Sequence, residues 1–201
     1  MNATPTRNPY RAAQWGALCL LAVASPAVWA HVGEHTGGHH GFLSGFLHPV
    51  TGLDHLAAMV AVGIWSAVST RRIWLAPLTF AVLLLSGALL ASAGLALPAI
   101  EPMIAASMLV VGLLLAVKVR LAEPWIAGIV GTFAVFHGAA HGQELNGGLA
   151  LAGMVVGTAC LHAVGILAGR GLERAHVWLP RLTGGAVALL GLNMGWALIS
   201  G

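Results

Sequence analysis

Six long apolar runs, separated by short polar segments, make up most of the chain. Each run has close to the roughly 20 residues that an α-helix needs to cross a bilayer. The pattern therefore predicts an all-α membrane protein, with six transmembrane helices running up and down in a single domain over residues 44–201. The predicted spans are residues 44–68, 73–97, 100–117, 124–142, 147–169 and 182–200.

The composition agrees with a membrane protein. Of the 201 residues, 58% are hydrophobic and 7% are charged, whereas a soluble domain has about 25% charged residues. The pI near 9.5 could suggest nucleic acid, but the nine Lys and Arg residues are scattered between apolar runs and form no patch. We therefore expect a lipid bilayer, and no nucleic acid, as a partner. A Walker A pattern is also missing, which removes the simplest route to direct ATP coupling.

Residues 1–30 have the features of a cleavable signal peptide. Arginines precede an apolar stretch, and Val28 and Ala30 are acceptable residues at the positions three before and one before a cleavage point. The alternative is an uncleaved first membrane helix, but Ser25 and Pro26 break the apolar run where such a helix would have to continue.

Residues 31–43 form a polar leader rich in histidine, which cleavage would leave outside the cytoplasm. Short histidine-rich tracts can gather metal ions, and a solvated polar leader is the alternative interpretation. The candidate metal-capturing residues in this leader are His31, His35, His39 and His40.

The basic residues predict the orientation, because cytoplasmic loops of membrane proteins carry an excess of Lys and Arg. Those that follow the leader lie after the first, third and fifth runs: Arg71, Arg72, Lys118, Arg120, Arg170, Arg174 and Arg181. We therefore predict a multi-pass protein of the cell inner (cytoplasmic) membrane, with the mature N-terminus and the C-terminus both extracytoplasmic.

The first run contains two histidines and an aspartate, in His48-Pro-Val-Thr-Gly-Leu-Asp54-His55. Ionisable side chains are costly in lipid and usually mark function there. If the segment is one helix, the two imidazoles lie on one face, with His55 about 10 Å deeper than His48. The alternatives are a helix-start role for His48 and a structural buried pair for Asp54 and His55.

The fourth run ends with His137, His141 and Glu144, which a helix places within an arc of roughly 60 degrees. Two imidazoles and a carboxylate on one face form a partial coordination set for a divalent transition ion, although the histidines could instead hydrogen-bond across helices. The predicted topology places this set and the first-run histidines in the outer half of the membrane. Glu101 and Glu144 would add negative charge that attracts cations to this entrance.

Two further features have more than one interpretation. His162 is a lone histidine well inside the fifth run, and we prefer a structural role for it, with an inner metal site or exit step as the alternative. Glycines four residues apart recur in the last three runs, where they let helices approach closely. Packing within the chain is the preferred interpretation of these glycines, and a homo-oligomer interface is the alternative.

The two metal motifs together resemble a known family. His48-Pro-Val-Thr-Gly-Leu-Asp54-His55-Leu-Ala-Ala-Met59-Val-Ala-Val-Gly63 and Phe136-His137-Gly-Ala-Ala-His141-Gly-Gln-Glu144 are similar to the paired signatures of the HupE/UreJ family of nickel permeases. The resemblance implies a secondary transporter for nickel, in some members cobalt, that supplies metalloenzymes such as hydrogenase and urease. It also implies that the metal residues are His48, Asp54 and His55 in the first helix, and His137, His141 and Glu144 in the fourth.

The leading functional hypothesis is import of Ni²⁺ or Co²⁺, with Zn²⁺ as a further substrate, and without a prosthetic group. The donors include too few sulfurs for copper(I) and too many imidazoles for magnesium. The first alternative is an intramembrane zinc-dependent hydrolase, in which Asp54 or Glu144 acts as the base. The second is haem binding between helices, with His55 and His137 as axial ligands.

Overall fold

The computed structural model describes residues 41–145 and 147–200, apart from the side chain of Gln143. The secondary-structure elements of these residues are seven α-helices, so the all-α class is confirmed. The signal-peptide prediction and the histidines of the leader lie outside the described residues. The helices are α1 Phe42–Thr51, α2 Leu53–Ser69, α3 Leu75–Ser92, α4 Ile100–Val117, α5 Glu123–Glu144, α6 Gly148–Ala175 and α7 Leu179–Ser200.

Several of these helices can cross a membrane. Four are long and apolar enough by themselves, namely α3, α4, α6 and α7, and α1 with α2 would make a fifth span if the bent pair crosses as one. Helix α5 has 22 residues, but its histidines, glycines and Pro124 lower its mean hydropathy. The chain is thus a multi-pass membrane protein, and the count of six spans stays a prediction.

The first predicted span is broken, and here the expectation of one straight helix was wrong. Helices α1 and α2 meet at an angle of 86°, at Gly52, whose backbone is extended (φ −96°, ψ 123°). The break frees the carbonyl of His48 from its helical partner, and the hydroxyl of Thr51 donates a hydrogen bond to it at 2.7 Å. His48 and the pair Asp54 and His55 therefore lie on different helices, so the depth difference expected for one helix does not apply.

Glycines set the helix packing. On α6, Gly153 and Gly157 face the backbone of α1, while Gly165 and Gly169 face α2. Helix α5 packs on α3 in the same way, through Gly138 and Gly142, and α4 packs on α7 through Gly112, Gly184 and Gly191. These contacts are within the chain, as the preferred interpretation of the glycines requires. Gly195 is the exception, because a Cβ atom added there would have no atom of the described residues within 4 Å.

Polar contacts join helix ends at one end of the bundle. Arg72, after α2, pairs with Glu123 at the start of α5 at 3.0 Å, and Lys118, after α4, pairs with Glu173 near the end of α6. The indole of Trp65 also donates to the carbonyl of Val119 at 3.1 Å. The segments that follow α2, α4 and α6 thus share one end, as an up-and-down arrangement with one basic side requires.

Neighbouring glycines on α7 provide a test of this packing. A methyl group at Gly184 would lie closer than 3.0 Å to backbone atoms of Ala116 and Gly112, whereas Gly185 has nothing within 4 Å. We expect Gly184→Ala to lower the free energy of unfolding by about 1–3 kcal/mol, since the backbone cannot move aside cheaply. Gly185→Ala, the matched control, should be neutral or slightly stabilising, because alanine has a higher helix propensity than glycine. Thermal unfolding of the detergent-purified proteins measures both, and equal stabilities would contradict the packing of α7 on α4.

Candidate metal centre

Three candidate metal ligands meet where α1 and α5 end. His48 Nε2 lies 2.8 Å from Glu144 Oε2, and together with a nitrogen of His141 these atoms lie within 4.8 Å of one another. The Glu144 side chain is 56% exposed and that of His48 is 15% exposed, whereas His141 is buried. An exposed carboxylate therefore leads directly to a buried imidazole, and we call these three residues the outer set.

Two more imidazoles continue inward from the outer set. The ring of His141 contacts the rings of His48 and His55, with centroids 4.7 Å and 4.2 Å away. The ring of His55 in turn contacts that of His137 at 4.9 Å. The break at Gly52 makes this possible, because it lets α1 and α2 each direct a histidine towards α5. We call these four rings the histidine row.

Hydrogen bonds fix which nitrogen of His55 can bind a metal. Its Nδ1 lies 3.1 Å from Asp54 Oδ1, and since an ionised carboxylate only accepts, Nδ1 carries the proton. The lone pair is then on Nε2, which is buried and has no hydrogen-bond partner among the described residues. A carboxylate that orients a histidine in this way is a common support for metal ligands.

The same reasoning applies to His137, through Ser107 of α4. The Ser107 hydroxyl lies 2.7 Å from the carbonyl of Ile104, to which it donates its single proton. It must therefore accept the proton of His137 Nε2, which lies 2.8 Å away. The lone pair of His137 is consequently on Nδ1, another buried nitrogen with no partner in the described part of the chain.

Unpartnered nitrogens are concentrated in this region. Buried polar atoms normally have a hydrogen-bond partner, and leaving one without a partner costs about 1–3 kcal/mol. Within the described ranges, the buried imidazole nitrogens without a partner are His55 Nε2, His137 Nδ1, both nitrogens of His141, and His162 Nε2. Imidazole lone pairs are good ligands for divalent transition metals, so the arrangement is chemically suited to such a cation.

The structure does not gather all the predicted ligands into one coordination sphere. Asp54 contacts the row only through His55, and Glu101 is exposed in the first turn of α4 and does not belong to the outer set. His162 is buried beyond the row, next to Phe80. The sequence interpretation missed Ser107 and Phe80. Ser107 could have been noticed, since it is the single hydroxyl side chain in the run 100–117, but nothing distinguishes Phe80 from other apolar residues.

Two comparisons with known proteins each find a match over most of this chain. The family model described as HupE / UreJ protein matches residues 18–194. The chain is also 41% identical over 179 residues to Protein HupE of Rhizobium leguminosarum bv. viciae. This aligned region covers 86% of this chain and 92% of that protein. No solved structure matches the chain.

Ser107 provides a test of the centre. Ser107→Ala removes the acceptor that holds the proton on His137 Nε2, so Nδ1 no longer carries a fixed lone pair. Loss of such a supporting partner typically lowers metal affinity by about 10- to 100-fold, which we expect here for Co²⁺ binding by calorimetry. Ser86→Ala is the control, because that hydroxyl bonds a carbonyl of its own helix and no histidine. Unchanged affinity in Ser107→Ala would contradict the role of His137.

Proposed function

The chain belongs to the HupE/UreJ family, and we propose that it is a secondary transporter (permease) that imports Ni²⁺ or Co²⁺ along the histidine row. The family relationship favours a transporter over an enzyme. The observation that carries the proposal is the continuous contact of four imidazoles, from the exposed Glu144 inward to the fully buried His137. Such a row has no evident structural purpose in an apolar bundle, where ionisable side chains are expensive.

The outer set is the proposed point of capture. The exposed carboxylate of Glu144 attracts a hydrated cation, and the ion then takes the place of the proton that His48 and Glu144 share in their hydrogen bond. One carboxylate oxygen and the nitrogens of His48 and His141 form a mixed N/O set, which suits divalent first-row transition ions. Binding exchanges part of the hydration shell for these three ligands.

His141 is the proposed transfer point to the interior. Its ring contacts those of both His48 and His55, so it can belong to the outer set and to the next step in turn. His55 then offers Nε2, and Asp54 stabilises the proton on the opposite nitrogen. In this proposal Asp54 acts through His55 and has no need to bind the ion itself. Short steps between ligand sets of moderate affinity allow the ion to leave each one.

The chemical types of the ligands also indicate which metal ion is transported. Imidazole and carboxylate groups suit Ni²⁺, Co²⁺ and Zn²⁺, whereas copper(I) prefers sulfur and Mg²⁺ prefers oxygen. The one cysteine in the described part of the chain, Cys160, is exposed on α6 and is not one of the three outer-set residues. We propose nickel or cobalt as the main substrate, with zinc as a competing ion. We also propose an inner-membrane location with both termini extracytoplasmic, and capture of metal by the histidines of the leader.

Uptake of isotopic nickel into cells that express the full chain tests this function. We expect His141→Ala and Glu144→Gln each to lower uptake by about tenfold or more, because each removes a ligand of the outer set. His176→Ala is the control, since that histidine lies exposed just after α6. Competition with cobalt and zinc then ranks the three ions.

The results that would oppose the proposal are equally specific. Uptake of none of the three metals by the wild type, or full uptake by both outer-set variants, would contradict transport through this row. Release of an organic product that stops on chelation, without metal flux, would instead support the zinc hydrolase.

A further inference from the structure

His162 on α6 is prepared as a ligand beyond the histidine row. It is fully buried, and its Nδ1 lies 2.8 Å from the carbonyl oxygen of Met59 on α2. A carbonyl only accepts, so Nδ1 carries the proton and Nε2 carries the lone pair. Nε2 is buried and has no hydrogen-bond partner among the described residues. This is how metal-binding histidines are usually oriented, with one nitrogen fixed by a carbonyl and the other free to bind.

A second donor lies on the same face of α6. Thr158 precedes His162 by four residues, which is one helical turn, and side chains on a helix lean towards its N-terminus. The Thr158 side chain is completely buried, and its hydroxyl oxygen likewise has no partner in the described ranges. A hydroxyl in a membrane helix normally bonds a carbonyl of the preceding turn, so an unpartnered one beside an unpartnered imidazole is unusual.

The ring of Phe80 contacts both His162 and the inner end of the histidine row. Its centroid lies 5.5 Å from that of His137 and 5.1 Å from that of His162. Phe80 is on α3 and is 2% exposed, so the ring is held by its neighbours. An apolar side chain in contact with both histidines can therefore act as a barrier to an ion that moves from His137 to His162.

Helix geometry places His162 further inward than His137. His137 lies seven residues before the end of α5, or about 10 Å from it, at 1.5 Å per residue. His162 lies 14 residues after the start of α6, or about 21 Å from it. The end of α5 and the start of α6 are joined by a short segment and so lie at the same end of the bundle.

We propose that His162 Nε2 and the Thr158 hydroxyl form a second, inner site for the transported divalent metal ion, and that Phe80 separates this site from the histidine row. The inference rests on the proposed function. A purely structural histidine accounts for the bond to Met59, but it leaves Nε2 and Thr158 unexplained. One imidazole and one hydroxyl bind weakly, which suits a site that must release its ion.

Metal binding tests the inner site independently of transport. A full-length His48→Ala, His141→Ala variant lacks two residues of the outer set but keeps the inner site. We expect this variant still to bind Co²⁺ at His162, in addition to any Co²⁺ bound by other histidines. Adding His162→Asn should remove one bound Co²⁺ per chain, measured by equilibrium dialysis and visible absorption of the bound ion. Asparagine keeps an N–H near the position of Nδ1 and so retains the bond to Met59. The two proteins differ at His162 alone, and equal stoichiometry would overturn the inner site.

Transport in proteoliposomes tests the place of this site on the path. We expect His162→Asn in the otherwise native chain to lower nickel uptake by at least about tenfold, the loss that a supporting group alone can cause. Its Co²⁺ affinity at the outer set should be unchanged. The matched control is His176→Asn, at the exposed histidine after α6, which should transport like the wild type. Wild-type uptake by His162→Asn would overturn the inference while leaving transport through the row intact.

Phe80 is tested by leakage of preloaded nickel. Phe80→Ala opens a gap between the two sites and should increase the leak several-fold, whereas Phe80→Leu keeps an apolar barrier and should hold the ion. A wild-type leak in correctly folded Phe80→Ala would overturn the role of the ring as a barrier. If Phe80→Ala does not fold, Phe80→Val takes its place, and a wild-type leak in that folded variant would overturn the role in the same way. If the wild type moves no metal, the proposed function fails, and the Co²⁺ stoichiometry still decides the inner site.

Discussion

The packing of four touching imidazoles, two of them buried, into an apolar bundle is the constraint on which the rest of the structure depends. Three of the four rings are oriented by a specific partner, which reduces the cost of placing an ionisable group in this setting. Asp54 serves His55, Ser107 serves His137, and Glu144 serves His48. His141 is the exception: both of its nitrogens are buried without a partner among the described residues. Because it contacts the rings of both His48 and His55, the least supported ring is the one that joins the outer set to the rest of the row.

Glycine contacts bring these rings together without filling the space between them. Helix α5 lies against α3 through Gly138 and Gly142, while α1 and α2 lie against α6 through that helix's own glycines. The backbones of the two groups are thus held by separate contacts, and the histidine side chains extend across the interval. Helices that pack through small residues approach closely in lipid, where no hydrophobic force draws them together. The fold therefore supports the row by packing α5 and the pair α1 and α2 on different neighbours.

Periodicity and hydropathy predicted the apolar runs and the helix faces of the polar motifs, because these depend on local spacing. The expectation that the first-run and fourth-run motifs lie at one level came from the topology that the basic residues predict. None of these patterns predicted the break at Gly52. The run 44–68 has the length of one span, and Gly52 is one of three glycines in it, so the presence of a glycine does not by itself indicate a bend of 86°. Ser107 and Phe80 were missed for a different reason, since their roles depend on which helix is the neighbour. His162 was noticed, but which of its nitrogens carries the proton depends on the carbonyl of Met59, more than 100 residues away in sequence.

The break at Gly52 also bears on how a metal could be released. On one straight helix, His48 and His55 would be fixed at different depths by the same rigid element, and no local change could alter their separation. On two helices joined by an extended glycine, each histidine is carried by an element packed separately on α6. A small change at the joint would alter the distance of His48 from His141, while His55, on α2, would keep its contact with Asp54. Broken helices beside binding sites serve transporters in this way, because the ligand set can be divided without unfolding the bundle.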